Sequence, residues 1–449
     1  MIAGLAAALA LAGIGLAGPR APVGDQALAR LVAEAQAGDT IRIPAGTHAG
    51  PLRVDRPLVL LADAGAVLDG GGTGTVLTIR ADSVVVRGLA VRGSGRSLDH
   101  DDAAIKLDRC VGCRLEQIQV DDALHGIYLL RSHEITITDA RITGPAMVES
   151  SRGNGIHLFD SRGNRIAGNR IRGTRDGIYF SFASGNEIVG NDIRGVRYGL
   201  HYMYSDDNRF ERNVFAENAA GAAIMFSKRI VLRENTFTRH VGYRAYGILL
   251  QTAEQVQVER NTITGNLTGV FLDGAVADVF RDNVIAGNGV GIDLLASAEG
   301  NVFTGNVIAD NRQAVRKVLG TSANAWSEKG RGNYWGDASV FDLDGDGIGD
   351  RPYRVGDPFL GLAAERPALE LFAGTLAARA LSWADEAFPV FTLARAEDPH
   401  PLARRPGSIR DSELAARPPL APAAPLLLSF LLGAVLVGAV RGRLARRLV

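Results

Sequence analysis

The chain has 449 residues, 46% of them hydrophobic, and its 49 Lys and Arg residues balance 49 Asp and Glu residues. A chain of this length can bury a large core, and its zero net charge argues against nucleic acid as a partner. The 54 glycines and the aromatic content of only 6% favour many short strands joined by tight turns over a bundle of helices.

The chain begins with an apolar segment, residues 1–18, whose first seventeen residues read MIAGLAAALALAGIGLA. Its length, and the small residues and prolines that follow it, favour a signal peptide for export. No positive charge precedes the run, so an uncleaved N-terminal anchor and a buried helix remain alternatives. We expect residues 25–39 to form a helical cap before the first strand.

Two cysteines, Cys110 and Cys113, form the sequence CVGC in a stretch that resembles a strand. Side chains three residues apart on an extended strand point to opposite faces, which opposes a disulfide between them. A redox-active pair would be expected at the start of a helix, and no helical pattern is evident here. We therefore predict a structural role for both.

The middle of the chain is a repeat in which a glycine followed by an apolar residue recurs in steps of 22 residues, with one step of 26. The glycines are Gly155, Gly177, Gly199, Gly221, Gly247, Gly269 and Gly291. Asparagines keep the same period at Asn169, Asn191, Asn213, Asn235, Asn261, Asn283 and Asn306. Such a period is typical of stacked repeat architectures, in which amides at a turn bond from one repeat to the next.

Aligning the repeats produces three apolar columns, which begin at Ile166, Ile171 and Ile156. Three columns indicate three short strands per coil, each with alternate side chains pointing inward. The sequence therefore predicts an all-β fold: a right-handed parallel β-helix of ~22-residue coils over residues 40–362. Trp326, Tyr334 and Trp335 are expected to cap its C-terminal end.

Three insertions interrupt the period, and all of them fall between the second and third columns, after Val91, Ile142 and Phe237. They must therefore emerge at one corner of the solenoid, and insertions gathered on one side often build a binding surface. They carry His100, Met147 and His240.

Beside this corner, the alternation of the third strand turns a set of chemically distinctive side chains outward. His157, Tyr179 and His201 take the first outward position, and Ser181, Met203 and Met225 take the second. Thioether sulfur binds Cu(I) in preference to harder cations, and imidazole accepts copper readily. The alternative is that the two methionines form an apolar patch that docks a partner or a loop.

The sequence DLDGDGIGD places Asp342, Asp344, Asp346 and Asp350 at the spacing of a calcium loop. The twelfth position, which usually supplies a bidentate glutamate, is occupied by Tyr353. A weak calcium site and a plain Asp/Gly turn are both compatible with this pattern.

The remaining chain divides into three predicted segments: a helical segment at 363–395, a linker at 396–419 and a transmembrane helix at 420–440. The last is long enough to cross a bilayer of ~30 Å. Because several arginines follow it, we expect the tail to lie in the cytoplasm and everything before it outside the cytoplasm.

The motifs HYMYS (201–205), MFS (225–227), RGNYW and DLDGDGIGD together resemble the NosD family over roughly residues 40–395. The resemblance implies a periplasmic maturation factor, not an enzyme, that supplies copper (Cu⁺) for the copper–sulfide centre of nitrous-oxide reductase. It implies three partners: the ABC transporter of NosF and NosY, the reductase apoprotein and a copper donor protein. On this basis His201, Met203 and Met225 are the expected copper contacts, and His157 and His240 are added from their positions.

Two other functions fit the same fold. A uronan lyase or epimerase could use Asp99, His100, Asp101 and Asp102 for acid–base chemistry, and a carbohydrate-binding β-helix protein is a related alternative. However, the predicted outer face carries Met, Tyr, Leu and Phe, whereas an acidic substrate requires Lys and Arg. A passive scaffold would bind no metal and would tolerate loss of both outward methionines.

Overall fold

The computed structural model describes residues 27–317, 324–336, 338–355, 359, 366–372, 375–387 and 396–406. The fold is a right-handed parallel β-helix with three long sheets, as the repeat predicted. The predicted signal peptide at 1–18 and the predicted transmembrane helix at 420–440 lie outside the described residues. Among the residues that the structure describes, no helix is both long and apolar enough to cross a membrane.

Each coil contributes one strand to each sheet, and neighbouring strands within a sheet are parallel. The first sheet has 12 strands: Thr40–Ile43, Val59–Ala62, Val85–Arg87, Arg114–Glu116, Thr136–Thr138, Arg165–Ala167, Glu187–Val189, Arg209–Glu211, Val231–Arg233, Gln257–Glu259, Val279–Arg281 and Val302–Thr304. The second sheet has 13: Gly46–Ala49, Ala66–Asp69, Ala90–Arg92, Gln119–Asp121, Arg141–Thr143, Arg170–Arg172, Asp192–Arg194, Val214–Ala216, Thr236–Thr238, Thr262–Thr264, Val284–Ala286, Val307–Ala309 and Tyr334–Trp335. The third sheet has 12: Leu52–Val54, Leu77–Ile79, Ala103–Asp108, His125–Leu130, Ile156–Phe159, Asp176–Ser181, Tyr198–Met203, Ala220–Lys228, Tyr246–Glu254, Thr268–Asp273, Val290–Leu294 and Gln313–Lys317.

The core is built from the three predicted apolar columns, one on the inner side of each sheet. In the first column Ile166 lies beside Ile188, which lies beside Phe210, and all three are fully buried. Burying one such side chain stabilises the fold by about 1.5–3 kcal/mol. A single coil cannot enclose these side chains, so the stability depends on stacking.

The recurring glycine precedes the inward residue in eight third-sheet strands, from His125–Leu130 to Val290–Leu294, where two coils approach closely. A Cβ atom on Gly199 would lie 2.7 Å from the carbonyl oxygen of Gly221 on the next coil and 2.6 Å from a ring carbon of Phe215. A side chain at this position would clash with the neighbouring coil, and this explains why glycine recurs there in these eight coils.

Asparagine ladders run along the corners of the prism. The predicted ladder lies between the first and second sheets, where the Asn169 amide nitrogen donates to Asn191 Oδ1 at 2.8 Å and the pattern continues to Asn333. Two further ladders occupy the other corners and were not predicted. One contains Asn164, Asn186 and Asn208; the other contains Asn218, Asn266, Asn288 and Asn311.

Both ends of the described core are covered. Helix α1 (Ala27–Glu34) lies at the N-terminal end, where Leu28 and Val32 join the core. At the other end Trp326 stacks on Phe303 with ring centroids 4.5 Å apart, and Trp335 stacks on Tyr353 at 4.7 Å. Because these tryptophans close the end of the aromatic column, their predicted capping role is confirmed.

The C-terminal segment departs from the predicted linker at residues 396–406. The strand Ala396–Asp398 pairs antiparallel with Tyr353–Val355. Asp398 is completely buried and accepts hydrogen bonds from the Asn333 N–H at 2.7 Å and the Trp335 Nε1–H at 2.9 Å. This stretch is therefore part of the cap. Within 363–395 the chain forms a 3₁₀-helix, Pro367–Phe372, and helix α2 (Leu376–Ala387).

The cysteine pair also differs from the expectation. Cys110 and Cys113 are free thiols and both point into the core, fully buried. The stretch turns at Gly112, whose φ of 67° breaks the strand geometry on which the prediction of opposite faces depended. A hydrogen bond with Cys113, together with burial, raises the pKa of the Cys110 thiol, so it is not a ready nucleophile.

Candidate metal centre

The three insertions leave the solenoid at one corner, as predicted. They span residues 93–102, 144–155 and 239–245, and each follows a strand of the second sheet and precedes a strand of the third. The outer face of the third sheet next to this corner carries the side chains that the sequence singled out.

The first outward position forms a ladder of alternating histidine and tyrosine rings. Tyr128, His157, Tyr179 and His201 are register partners on four successive coils. Their ring centroids are separated by 4.3, 4.5 and 4.8 Å. The rings are therefore in continuous contact, and each one restricts the orientation of its neighbours.

The second outward position brings the two methionines together. Met203 pairs with Met225 on the following coil and with Ser181 on the preceding one. Both methionines are half-buried. Neighbouring parallel strands lie about 4.8 Å apart, so one cation can reach the sulfur atoms of both residues.

An exposed aromatic stripe borders the methionines at the next position along each strand. The rings of Phe182, Tyr204 and Phe226 stack with centroids 5.4 and 5.1 Å apart, and the three residues are 51%, 47% and 41% exposed. All three adopt positive φ angles of 50–55°, which bulky residues rarely do. The methionine pair thus lies between the His/Tyr ladder and this stripe.

His201 is held by a buried carboxylate on the preceding coil. Its Nδ1 lies 2.8 Å from Oδ2 of Asp176, which is 1% exposed. Arg197 donates to both oxygens of Asp176, through Nε at 2.8 Å and Nη2 at 2.6 Å. Burial by itself would raise the pKa of Asp176, but the hydrogen bonds from His201 and Arg197 outweigh burial and lower it. Asp176 is therefore ionised at neutral pH and can only accept.

Two of the other histidines are differently bound and deeply buried. The backbone N–H of Asn154 donates to Nδ1 of His125 at 3.0 Å, and that of Asn218 donates to Nδ1 of His240 at 3.2 Å. In a neutral ring this leaves the proton on Nε2, which cannot then bind a metal. Burial lowers the pKa of His125 to about 4 and that of His240 to about 3.

His240 accordingly lies where the sequence did not place it. It occupies a rung of the asparagine ladder between Asn218 and Asn266, inside the solenoid wall. The structure does not bring it to the outer face with Met203. The position predicted for His240 was wrong because the residue lies at the start of an insertion, where the 22-residue period is interrupted.

His157 is on the predicted face, but it lies two coils from His201, with Tyr179 between them. The Asn154 side-chain nitrogen lies 3.3 Å from its Nδ1, and burial lowers its pKa well below the usual value. Of the five predicted copper contacts, the structure therefore gathers His201, Met203 and Met225.

This group suits a soft cation. His201 and Met203 are two residues apart and face the same side of one strand, and Met225 is beside Met203 on the next. One imidazole and two thioethers favour Cu(I) over Zn²⁺, Mg²⁺ or Ca²⁺. Sequence spacing did not reveal Asp176 or Arg197, because the contact between them forms only when successive coils stack.

The Asp-rich loop brings three of its four predicted ligands together. Ligand atoms of Asp342, Asp344 and Asp350 all lie within 4.8 Å of one another. The same carboxylates accept backbone N–H groups inside the loop, as in an Asp/Gly turn, and Asp346 accepts from Ile348 at 2.7 Å. Calcium binding here stays a prediction.

The four consecutive residues considered for acid–base chemistry in a carbohydrate enzyme have different surroundings in the first insertion. Asp99 and His100 are exposed, whereas Asp102 is buried and accepts the Ser97 N–H at 2.9 Å. Oδ2 of Asp101 lies 3.9 Å from Nζ of Lys106. Asp102 therefore serves the loop's own backbone.

Comparison with known proteins decides the family. A family model described as "Periplasmic copper-binding protein (NosD)" matches residues 139–340. The "Probable ABC transporter binding protein NosD" of Pseudomonas aeruginosa is 37% identical over 382 residues, which cover 82% of this chain and 88% of that protein. The chain belongs to the NosD family. The NosD protein of Stutzerimonas stutzeri, which carries the same name, is 34% identical over 81% of this chain and 87% of its own length.

Solved structures similar to this chain share its fold at low sequence identity. The A-module of a mannuronan C-5 epimerase of Azotobacter vinelandii has a TM-score of 0.57 at 14% identity, covering 70% of this chain and 94% of the module. An exopolygalacturonase of Yersinia enterocolitica has a TM-score of 0.52 at 11% identity, covering 69% and 76%. At these identities the likeness shows the β-helix alone.

Proposed function

We propose that this chain is a periplasmic copper-binding accessory protein that delivers copper for assembly of the copper–sulfide centre of nitrous-oxide reductase. It receives Cu(I) from a copper donor protein, holds it on the outer face of the third sheet and passes it toward the reductase apoprotein. It works beside the ABC transporter formed by NosF and NosY, and the segment 420–440 anchors it to the inner membrane.

One observation supports copper binding most directly. His201 has its Nδ1 engaged by Asp176, which leaves Nε2 as the nitrogen available to a metal, and the ring is on the same face of the strand as Met203, which pairs with Met225 on the next coil. The set is half-buried at the surface, where a cargo ion can enter and leave. The names of the family and of its relatives, which mention copper binding and an ABC transporter, support the same role.

The carbohydrate-enzyme alternative receives less support from the same face. An enzyme acting on an acidic polysaccharide needs free cationic groups to neutralise the substrate. Arg197 on this face is paired with Asp176, and Lys106 lies near Asp101. Two basic groups near the ladder are therefore already engaged.

The test is an anaerobic titration of the full chain with Cu(I) in the presence of a chromogenic Cu(I) chelator. We expect stoichiometric removal of copper from the chelator by the wild type and a loss of affinity in His201→Ala. A wild-type chain that leaves the chelator fully loaded would overturn the proposal, as would cleavage or epimerisation of alginate by the metal-free protein.

Delivery is tested in a denitrifying host in which this chain replaces the host's own family member. We expect nitrous-oxide reductase isolated from that host to contain its full copper, and reductase from a host carrying His201→Ala to be copper-depleted. Full copper in both hosts would show that the site is not used for delivery.

A further inference from the structure

We propose that Asp176 is a positioning residue for copper, which fixes the His201 imidazole in the tautomer whose Nε2 is free to bind the ion. This inference rests on the proposed function, since it concerns the same ligand set. It assigns a role to a carboxylate that no motif marks.

The geometry places Asp176 beneath the ring. It is the first residue of the strand Asp176–Ser181, and its register partner on the next coil is Tyr198. Its Oδ2 lies 2.8 Å from Nδ1 of His201, which is 14% exposed at its side chain. The carboxylate therefore approaches the ring from the protein side.

The other contacts of Asp176 leave it only one role toward His201. Arg197 donates to both of its oxygens, and the Tyr198 N–H donates to Oδ1 at 3.3 Å. An ionised carboxylate has no proton to give, so the Nδ1 of a neutral His201 must carry the hydrogen. The ring's second nitrogen, Nε2, then presents a lone pair.

Arg197 acts on Asp176 and not on the ring. Its Nη2 lies 3.3 Å from Nδ1 of His201, but both atoms carry hydrogen in this arrangement, so they are not bonded to each other. The guanidinium instead holds the carboxylate in place through two short bonds. Loss of Arg197 should therefore loosen Asp176 without removing the acceptor from His201.

Aromatic neighbours complete the constraint. The Tyr179 ring packs edge-on with its centroid 4.8 Å from that of His201, and the Tyr198 ring is at 5.0 Å. The ring is thus restrained by packing and by its hydrogen bond before copper arrives. Partners that orient metal-binding histidines in this way typically change metal affinity by about 10–100-fold when they are removed.

The first measurement needs neither copper nor a variant of Asp176. In the metal-free full chain labelled with ¹⁵N-histidine, long-range ¹H–¹⁵N correlation distinguishes an Nδ1–H ring from an Nε2–H ring. His201→Gln identifies the His201 signal by its disappearance. We expect the neutral ring to be in the Nδ1–H form, and an Nε2–H form in the wild type would overturn the inference whatever the copper titration shows.

The second measurement uses Asp176→Asn and Asp176→Ala in the chelator competition. We expect loss of the single Nδ1–H population and a dissociation constant for Cu(I) about 10–100-fold higher. Arg197→Gln should keep the Nδ1–H tautomer and change the affinity by much less. Asp192→Asn is the matched control, because Asp192 also pairs with two arginines, Arg172 and Arg194, but on the second sheet.

The outcomes separate the two proposals. A wild type that does not bind Cu(I) overturns the proposed function. A wild type that binds Cu(I), together with Asp176 variants that keep both the tautomer and the affinity, overturns the positioning role alone. If the Asp176 variants lower the melting temperature and change neither the tautomer nor the Cu(I) affinity, Asp176 is structural and the inference fails. A lower melting temperature in Asp192→Asn does not bear on the inference.

Discussion

Met203 lies directly beside Met225 on the next coil, and the same column continues with Ser181 before the pair and Gln251 after it. Thioether donors are thus confined to two adjacent rungs of this column. The neighbouring column supplies one imidazole, His201, at the Met203 rung. The arrangement fits one soft ion held between two coils.

Replacing both methionines by leucine separates copper binding from apolar docking. Leucine keeps nearly the same volume and apolar character, so the double variant Met203→Leu/Met225→Leu should unfold at the wild-type temperature. It lacks sulfur, and we expect its Cu(I) affinity in chelator competition to fall at least about tenfold, or ~1.4 kcal/mol.

Met147→Leu is the control for that experiment, because Met147 belongs to the insertion 144–155 and lies outside the column that contains Met203 and Met225. It should bind Cu(I) as the wild type does. An unchanged affinity in the double variant would mean that the pair serves docking and that the ligand assignment is wrong.

His240→Asn should leave copper binding intact and should not weaken the fold. Asparagine is the residue that the ladder carries on the adjacent rungs, at Asn218 and Asn266. Nε2 of His240 is buried and has no hydrogen-bond partner among the described residues, whereas an asparagine amide can donate to the preceding coil. We expect a gain of about 1 kcal/mol in the free energy of unfolding, measured in urea.

The comparison for that variant is His201→Asn, which removes the imidazole ring on the copper face. It should lose Cu(I) affinity, and it should lose some stability as well, because Asp176 then lacks one of its hydrogen-bond donors. A loss of copper affinity in His240→Asn would return His240 to the ligand set.

The repeat made much of this fold predictable. Because every coil repeats the same inward positions, the sequence alone determined the columns that begin at Ile156, Ile166 and Ile171, and therefore the outward register of Met203 and Met225. Prediction failed where the period is interrupted. His240 lies at the start of an insertion, and Cys113 follows a turn at Gly112 that the 22-residue period does not predict.

Contacts between coils were the other limit. Asp176 reaches His201 and Arg197 across a separation of more than twenty residues, and only the stacking distance of the solenoid creates that cluster. Likewise Asp398, which is far from Trp335 in sequence, returns to the cap after a segment that resembles a linker in composition. The local sequence pattern does not indicate that the chain returns to the cap at Asp398.

The cap yields a stability prediction. Asp398→Ala removes the acceptor for the Asn333 N–H and the Trp335 Nε1–H, leaving buried donors unsatisfied. Each such donor costs about 1–3 kcal/mol, so we expect a loss of several kcal/mol in chemical unfolding. Glu397→Ala, one residue away and exposed, should cost less than about 1 kcal/mol. Equal stability of the two variants would restore the linker interpretation of residues 396–406.

Asp278 gives the fold a predictable response to pH. It occupies a rung of the ladder between the third and first sheets, where Oδ1 accepts the Val256 N–H at 2.7 Å. Its Oδ2 is buried and has no partner among the described residues. Burial, opposed in part by that hydrogen bond, raises the pKa of Asp278 from 3.8 to about 7. The folded protein therefore holds a proton that the unfolded chain releases near pH 4.

A carboxyl whose pKa is higher in the folded state favours folding most at low pH, and this contribution disappears as the pH rises from about 4 to 7. The total effect is at most roughly 4 kcal/mol. Asp278→Asn supplies an amide that needs no proton, so the variant should be more stable than the wild type above pH 7 and should lack this dependence. Urea unfolding at pH 5, 6, 7 and 8 measures both the stability and its dependence on pH.

Asp282→Asn, at a partly exposed aspartate paired with Arg331, is the control and should keep the wild-type dependence of stability on pH. Parallel curves for the wild type and Asp278→Asn would show that the carboxyl is ionised inside the ladder.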